Sequence, residues 1–597
     1  MINKFCKKPL EECTIALANV AMGKEPADMV IINAKLINVC TKEIIENTQV
    51  AVKMGRIALV GDAKHCIGKG TKVIDCEGRY LAPTFLDGHM HVESSMLTVG
   101  EYAKAVIPHG TSGIYFDPHE ICNVLGLDGV KYMLEDAKRT PLKAMLTVPS
   151  CVPAVPGFED TGASINAEDI KEAMRWDETV GLGEMTNFPG VINGSPETHS
   201  ELKETYKADK VVTGHYSMPE TGSGLNAYIA SGARCCHESV RAEDVLYKMR
   251  LGMYAQLREG SAWHDLKNLA PVIVKNKNLD TRFACLVTDD SHPHTLKKKG
   301  HLDFVVRRAI EEGIDPITAI QMVTINTAEC FRMSNEIGSI APSKCADMVI
   351  ISDLNKCVVD EVIIDGEVVA KDNKLIKEFE LYSYPEKAKH TVHLDKINIE
   401  DLKIPAKDGK RKVHVIGFNA GSTITTDNVV EMTAKDGELK VDGNQDIMKA
   451  VVFERHHNTG TVGKGFVKGF GIKNGALAQT VAHDAHNLIV IGTNDEDMAI
   501  AANALIKCGG GAVTVQNGKI LGLVELEVAG LMSEKSLDEQ DKLVSNLQQS
   551  WKELGCTFPS PFMTMSLLPL ACIPDIRLTN RGLVDIRTFK FTDLIEE

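Results

Sequence analysis

Two imidazoles one residue apart open the chemistry of this chain, in Asp87-Gly88-His89-Met90-His91. On a strand, residues i and i+2 leave from one face, so both rings can reach one cation; a helix would splay them. Such a pair is weak evidence alone. Four more groups of ligand type follow, each ending a short apolar run: Glu184 after Val180-Gly181-Leu182-Gly183, His215 after Val211-Val212-Thr213-Gly214, His237 after Cys235-Cys236, and Asp289 after Phe283 to Thr288. Their separations of 31, 22 and 52 residues fit one, one and two βα units of about 30 residues each. Six donors exceed the three protein ligands usual for one catalytic zinc, which points to two metals sharing a carboxylate, with Glu184 as the bridging candidate. Imidazole and carboxylate without thiolate suit Fe²⁺, Mn²⁺ or Zn²⁺. Cys235 and Cys236 read as core packing rather than ligands.

Asp289 and Asp290 compete for the last strand end. Period-2 alternation sets Phe283, Cys285, Val287 and Asp289 on one face and Ala284, Leu286, Thr288 and Asp290 on the other. Both faces are apolar, so the preference for Asp289 is modest, and Asp-Ser-His-Pro is also turn chemistry. The Gly-rich pieces Gly509-Gly510-Gly511 and Gly460 to Gly471 match neither nucleotide fingerprint and read as turns or hinges. His483-Asp484-Ala485-His486-Asn487 reads equally as a contact with the site or as backbone capping.

These groups need a scaffold that brings strand ends together. Residues 81–329 alternate short buried strands with helical stretches such as Ala167 to Trp176 and His301 to Glu312, over the length usual for a (β/α)₈ barrel, whose active sites sit at the C-terminal strand ends. Tyr80 to Leu86 reads as the start of the first barrel strand. β-Branched runs punctuated by Gly and Asp at 28–80 and 330–390 predict a flanking β-sandwich built from two chain segments, after an N-terminal segment of residues 1–27. Beyond a Lys/Asp-rich junction, 400–597 predicts a C-terminal α/β domain. The fold class is thus α/β.

A net charge of −15 disfavours nucleic acid phosphates and anionic lipid. No apolar stretch approaches the roughly 18 residues of a membrane span, and the N-terminus lacks a signal-like apolar region. The sixteen Cys have no repeated spacing and include an adjacent pair, which reads as reduced thiols in the cytoplasm.

With these residues in place, the chain resembles the amidohydrolase superfamily and, within it, the bacterial adenine deaminases. The resemblance rests on Asp87-Gly88-His89-Met90-His91-Val92-Glu93-Ser94-Ser95, Asp117-Pro118-His119-Glu120-Ile121, Gly183-Glu184-Met185, Gly214-His215 and Val287-Thr288-Asp289-Asp290-Ser291-His292-Pro293, and extends over nearly the whole chain. It implies a metal site of His89, His91, His215, His237 and Asp289, with Glu184 where many superfamily members bridge with a carboxylated Lys, and work with Mn²⁺ or Fe²⁺. It implies deamination of adenine to hypoxanthine and ammonia in purine salvage; a homo-oligomer in the cytoplasm is expected. Adenine's C6 is a poor electrophile, and a metal pair that acidifies water toward neutral pH supplies the nucleophile. Asp289 then takes the water's proton and passes it to the leaving amine, while Glu120 or Glu184 protonates ring N1. His119, Ser94 and Asp290 are candidate substrate contacts. The rivals are a cyclic-amide hydrolase of the dihydropyrimidinase or dihydroorotase type, and a noncatalytic scaffold barrel.

Overall fold

Short runs in which every residue is buried form a ring of parallel strands: β1 (Phe85–His91), β2 (Thr111–Phe116), β3 (Lys143–Val148), β4 (Thr179–Met185), β5 (Val211–Gly214), β6 (Cys235–Cys236), β7 (Tyr254–Arg258) and β8 (Ala284–Val287), which resumes after Thr288 at Asp289–Asp290. Continuous apolar runs are what a sheet covered on both faces requires. In this computed structural model, which describes residues 5–596 apart from 219–220, 262, 419–423, 442, 557 and 559–560, β1 to β5 pair in chain order, as do β6 to β8. A parallel bridge between Val212 and Ala233 joins the two groups, and Met90–Asp289 with His91–Asp290 closes the ring. A helix follows each strand, among them His119–Ala137 after β2 and Leu302–Glu311 after β8. The architecture is a (β/α)₈ barrel.

One side chain from each strand plugs the barrel floor: Leu86, Tyr115, Met145, Val180, Val211, Cys235, Tyr254 and Cys285 pack in a single apolar cluster with Phe331. Tyr115 and Phe331 stack with ring centroids 3.7 Å apart. Cys235 is therefore core, and Cys236 Sγ accepts the Tyr216 N–H at 3.2 Å, so neither thiol serves the metal site.

Strands from both flanks of the barrel form one hydrogen-bonded sheet of nine strands, branched at Met29–Asn38, where the sequence suggests a sandwich. Its seam is Tyr80–Pro83, which pairs in parallel with Met29–Asn38 and antiparallel with Met348–Asp353. This corrects the reading of Tyr80 to Leu86 as one barrel strand. Thr84 N–H still bonds the Asp347 carbonyl, whereas Phe85 N–H bonds that of Gly110, so the chain changes sheets within one residue, just past Pro83, which has no N–H to donate. Cys6 and Cys345 form a disulfide, with Cα atoms 5.7 Å apart, which corrects the reading of all sixteen cysteines as free thiols. Their 339-residue separation hides the pairing from any spacing argument.

C-terminal to the barrel, strands from Gly409–Gly417 to Lys519–Glu525, with Ile595–Glu596, build a ten-stranded sheet against the helices Asp495–Cys508 and Leu537–Glu553. Gly509, at φ +83°, stops the first helix in the left-handed conformation that glycine adopts without strain. Among the described residues no helix is long and apolar enough to cross a membrane.

At the base of β3, buried Lys143 Nζ donates to Asp347 and, at 2.9 Å, to Asp365 of the flanking sheet. Lys143→Met removes the cation and strands Asp347 in the interior. We expect a loss of about 3 kcal/mol, the scale for breaking a buried ion pair, read as a lower urea midpoint. An unchanged midpoint would show that the pair contributes nothing.

Candidate active site

The first strand carries an irregularity that aims its histidines. Asp87 pairs with Ile114 and Met90 with Phe116, so β1 spends one residue more than β2 over the same span. Such a bulge shifts the in-out phase of a strand. Below it Leu86 faces the barrel floor; above it Met90 belongs to the other core cluster, and His89 and His91 both join the donor groups at the mouth. Asp87 accepts the Thr288 hydroxyl at 2.6 Å and its N–H at 3.2 Å, tying β1 to β8 where the ring closes. On β4, Glu184 N–H donates to Asp117 Oδ2 at 2.7 Å, and a Cβ on Gly183 would lie 2.3 Å from that oxygen, so only glycine admits this approach.

Glu184 stands at the centre. Its Oε1 lies 3.7 Å from His91 Nε2, and its Oε2 lies 2.5 Å from His215 Nδ1 and 3.1 Å from His237 Nε2. Asp289 Oδ1 is 3.5 Å from His91 Nε2 and 3.9 Å from His89 Nε2, while its Oδ2 accepts from Arg258 at 3.1 Å. Asp290 points elsewhere, accepting from Ser94 Oγ and, at 3.1 Å, from Trp263 Nε1. The alternation left these two aspartates nearly equal; the geometry separates them. Asp289 sits at φ +59°, a conformation that Asp tolerates better than most side chains.

The donor set fits a divalent cation. Ligand atoms of His89, His91 and Glu184 lie within 4.8 Å of one another, as do those of Glu184, His215 and His237. His89 Nε2 is buried without a partner, and His91 Nδ1 bonds the Asp117 carbonyl at 2.8 Å, the outer contact that turns Nε2 toward a metal. Burial, reinforced by His237 and His91, holds His89 far below the usual imidazole range and so neutral, as a ligand must be. Burial works to raise Asp289, but the His91 hydrogen bond and the Arg258 charge outweigh it and keep the carboxyl ionised.

Beside this cluster a cavity of 370 Å³ opens, within the roughly 300–1,000 Å³ of small-molecule sites. His119 is the first residue of its helix, not a loop residue, with Nδ1 3.4 Å from Glu184 Oε1. Burial opposes its charge, but Asp117, Asp484 and Glu184 push its pKa up to about 10. Glu120 Oε1 accepts from Ser94 at 3.2 Å, its Oε2 is buried without a partner, and burial raises its carboxyl above the usual range. The candidate metal, catalytic and substrate-contact residues singled out from the sequence therefore meet at this mouth. Sequence reasoning missed Arg258, which ends the buried strand β7 in the same strand-end position as the others, and Glu238, which follows His237 and pairs with Arg258. It also missed Glu93, buried beside Glu120, where burial and then that neighbour raise its pKa to about 8.

The amidohydrolase family model matches residues 80–369 and the adenine deaminase C-terminal domain model matches 422–590. The chain is 62% identical over 100% of both chains to an adenine deaminase of Clostridium botulinum (strain 657 / Type Ba4). It is 50% identical to one of Moorella thermoacetica over 99% of each chain, and 44% identical to one of Mesorhizobium japonicum over 98% of each. A barrel with this strand-end donor set, joined to this C-terminal domain and similar to such relatives from end to end, belongs to the adenine deaminase family of amidohydrolases.

Proposed function

We propose that the protein hydrolyses adenine to hypoxanthine and ammonia, as a step of purine salvage. The observation that carries the chemistry is the Glu184 carboxylate, which reaches His91 on one side and His215 and His237 on the other. That arrangement would suit two divalent cations, Mn²⁺ or Fe²⁺ with Zn²⁺ as the alternative, which His89, His91, His215, His237 and Asp289 would hold together with Glu184, the carboxylate that faces both histidine groups. Bound there, the pair supplies an acidified water as nucleophile. The relatives' common name supports adenine as the substrate.

The remaining work falls to side chains. Asp289, held ionised by His91 and Arg258, takes one of the attacking water's two protons and gives it to the departing amine, while the other proton replaces the one that Glu120 spends on the ring. Glu120, whose carboxyl burial pushes above the usual range, is placed to donate a proton to ring N1, whose electron pair would otherwise resist addition at C6. Glu184, pulled down by His215 and His237 against its burial, is an anion and a poor acid, so Glu120 is the better ring donor. Ser94, Asp290 and His119 border the base. Across the cavity Met563, Leu567, Leu570 and Ile573 present an apolar wall suited to the face of a flat heterocycle.

The reading extends to a three-part layout, with a flanking domain of 28–80 and 330–390 after residues 1–27, the barrel at 81–329 and the C-terminal domain at 400–597, and to a cytoplasmic homo-oligomer that binds neither nucleic acid nor membrane. Protein purified with added Mn²⁺ should convert adenine to hypoxanthine with one ammonia released, and leave a dihydropyrimidine unopened. Ring opening without ammonia from adenine would favour the cyclic-amide reaction, and inactivity with less than one metal per chain a scaffold. Glu120→Gln should lower kcat on adenine about 100-fold, within the range for general acids, without changing metal content. Unchanged kinetics would remove Glu120 from the mechanism.

A further inference from the structure

The segment that closes the cavity opposite the metal-ligand cluster comes from the C-terminal domain, and it carries two ionisable groups that the chemistry above leaves unused, buried His483 and half-buried Asp484. His483 Nδ1 lies 3.8 Å from Glu120 Oε1 and 3.6 Å from Asp484 Oδ1. Asp484 Oδ1 in turn lies 3.9 Å from His119 Nε2, whose Nδ1 faces Glu184. A continuous line of side chains, Glu184–His119–Asp484–His483–Glu120, thus crosses the mouth from the candidate bridging carboxylate to the candidate ring donor. Spacings of 3.4 to 3.9 Å are longer than hydrogen bonds, and catalytic contacts of this kind often tighten only when substrate binds.

This turn is held rigidly. Arg455 is fully buried and spends its guanidinium on backbone carbonyls, donating to His486 O at 2.5 Å, Thr391 O at 3.1 Å and Ala529 O at 2.8 Å. His456 Nε2 contacts the Ala485 carbonyl at 2.7 Å, and His483 N–H bonds Ser566 O at 2.9 Å, in the helix that also supplies Met563 to the apolar wall. Asn487 reaches back to the barrel, donating to the Asp160 carbonyl at 2.8 Å. A surface lid would not need a buried arginine to fix its backbone; a side chain that must meet another within a few tenths of an ångström does.

We propose that His483 is a positioning residue for Glu120, so that the C-terminal domain completes the active site and does not merely cover it. Its imidazole orients the Glu120 carboxyl toward the ring nitrogen of the base, and Asp484 orients the imidazole while linking it to His119. The proposal rests on the reading of Glu120 as the ring donor.

The test is a double-mutant cycle on adenine in the full-length, metal-loaded enzyme: His483→Ala, Glu120→Gln and the pair, with metal content measured for each. His483→Ala should lower kcat about 30-fold or more with KM and metal content near those of the parent, and should have almost no further effect in the Glu120→Gln background. His483→Gln, whose amide can still donate to Glu120, should recover at least a third of the parental kcat; it also serves if the alanine variant does not fold. If Glu120→Gln alone is within threefold of the parent, the reading of Glu120 fails and takes this one with it. If Glu120→Gln is impaired but the two losses multiply, or His483→Ala loses metal, or the histidine variants match the parent, the Glu120 reading stands and the positioning role is overturned.

Discussion

Asp289→Asn is expected to cost about 10³-fold in kcat on adenine while metal content stays near that of the parent, the scale of losing a positioned proton acceptor. The substitution is close to isosteric, and Asn tolerates the left-handed backbone at φ +59° as well as Asp does, so the strand end should keep its shape. An amide oxygen can still accept from Arg258, now 3.1 Å from Oδ2, but an amide cannot take the water's proton. His89, His91 and Glu184 remain as donors on that side. Steady-state kinetics beside metal analysis separates the outcomes: a near-normal rate would sink the proton-transfer role, and a matching loss of metal would make Asp289 chiefly a ligand.

The second large effect falls on Glu184. On the proposed two-metal reading, Glu184→Ala should bring bound metal to fewer than one equivalent per chain and cut turnover by more than about 10³-fold, since it removes the anion facing both histidine groups and the site of transition-state charge stabilisation with it. His91, His215 and His237 would then face one another with no carboxylate between them; burial already disfavours charge on His215, which Glu238 and Glu184 push up to about 9. Metal analysis after reconstitution with Mn²⁺ decides the matter. Two bound metals and activity within tenfold of the parent would place the bridge elsewhere.

The sequence by itself determined the donor types and the barrel that gathers them. Apolar runs ending in Glu184, His215, His237 and Asp289 are strand-end chemistry whatever their neighbours, because side-chain periodicity and burial on both faces are local properties of the chain. Tertiary structure alone decided the rest. The bulge in β1 that turns His89 and His91 to the mouth while Leu86 stays in the floor depends on β2, against which the extra residue is counted. The choice of Asp289 over Asp290 waits on Arg258 and Ser94, from different turns of the barrel. The disulfide of Cys6 with Cys345, the change of sheet at Thr84, and the placing of His483 and Asp484 within 4 Å of Glu120 and His119 join residues hundreds of positions apart. No periodicity records such contacts, because they arise from the packing of whole elements, and in this chain that packing sets a C-terminal turn against barrel residues more than 300 positions earlier.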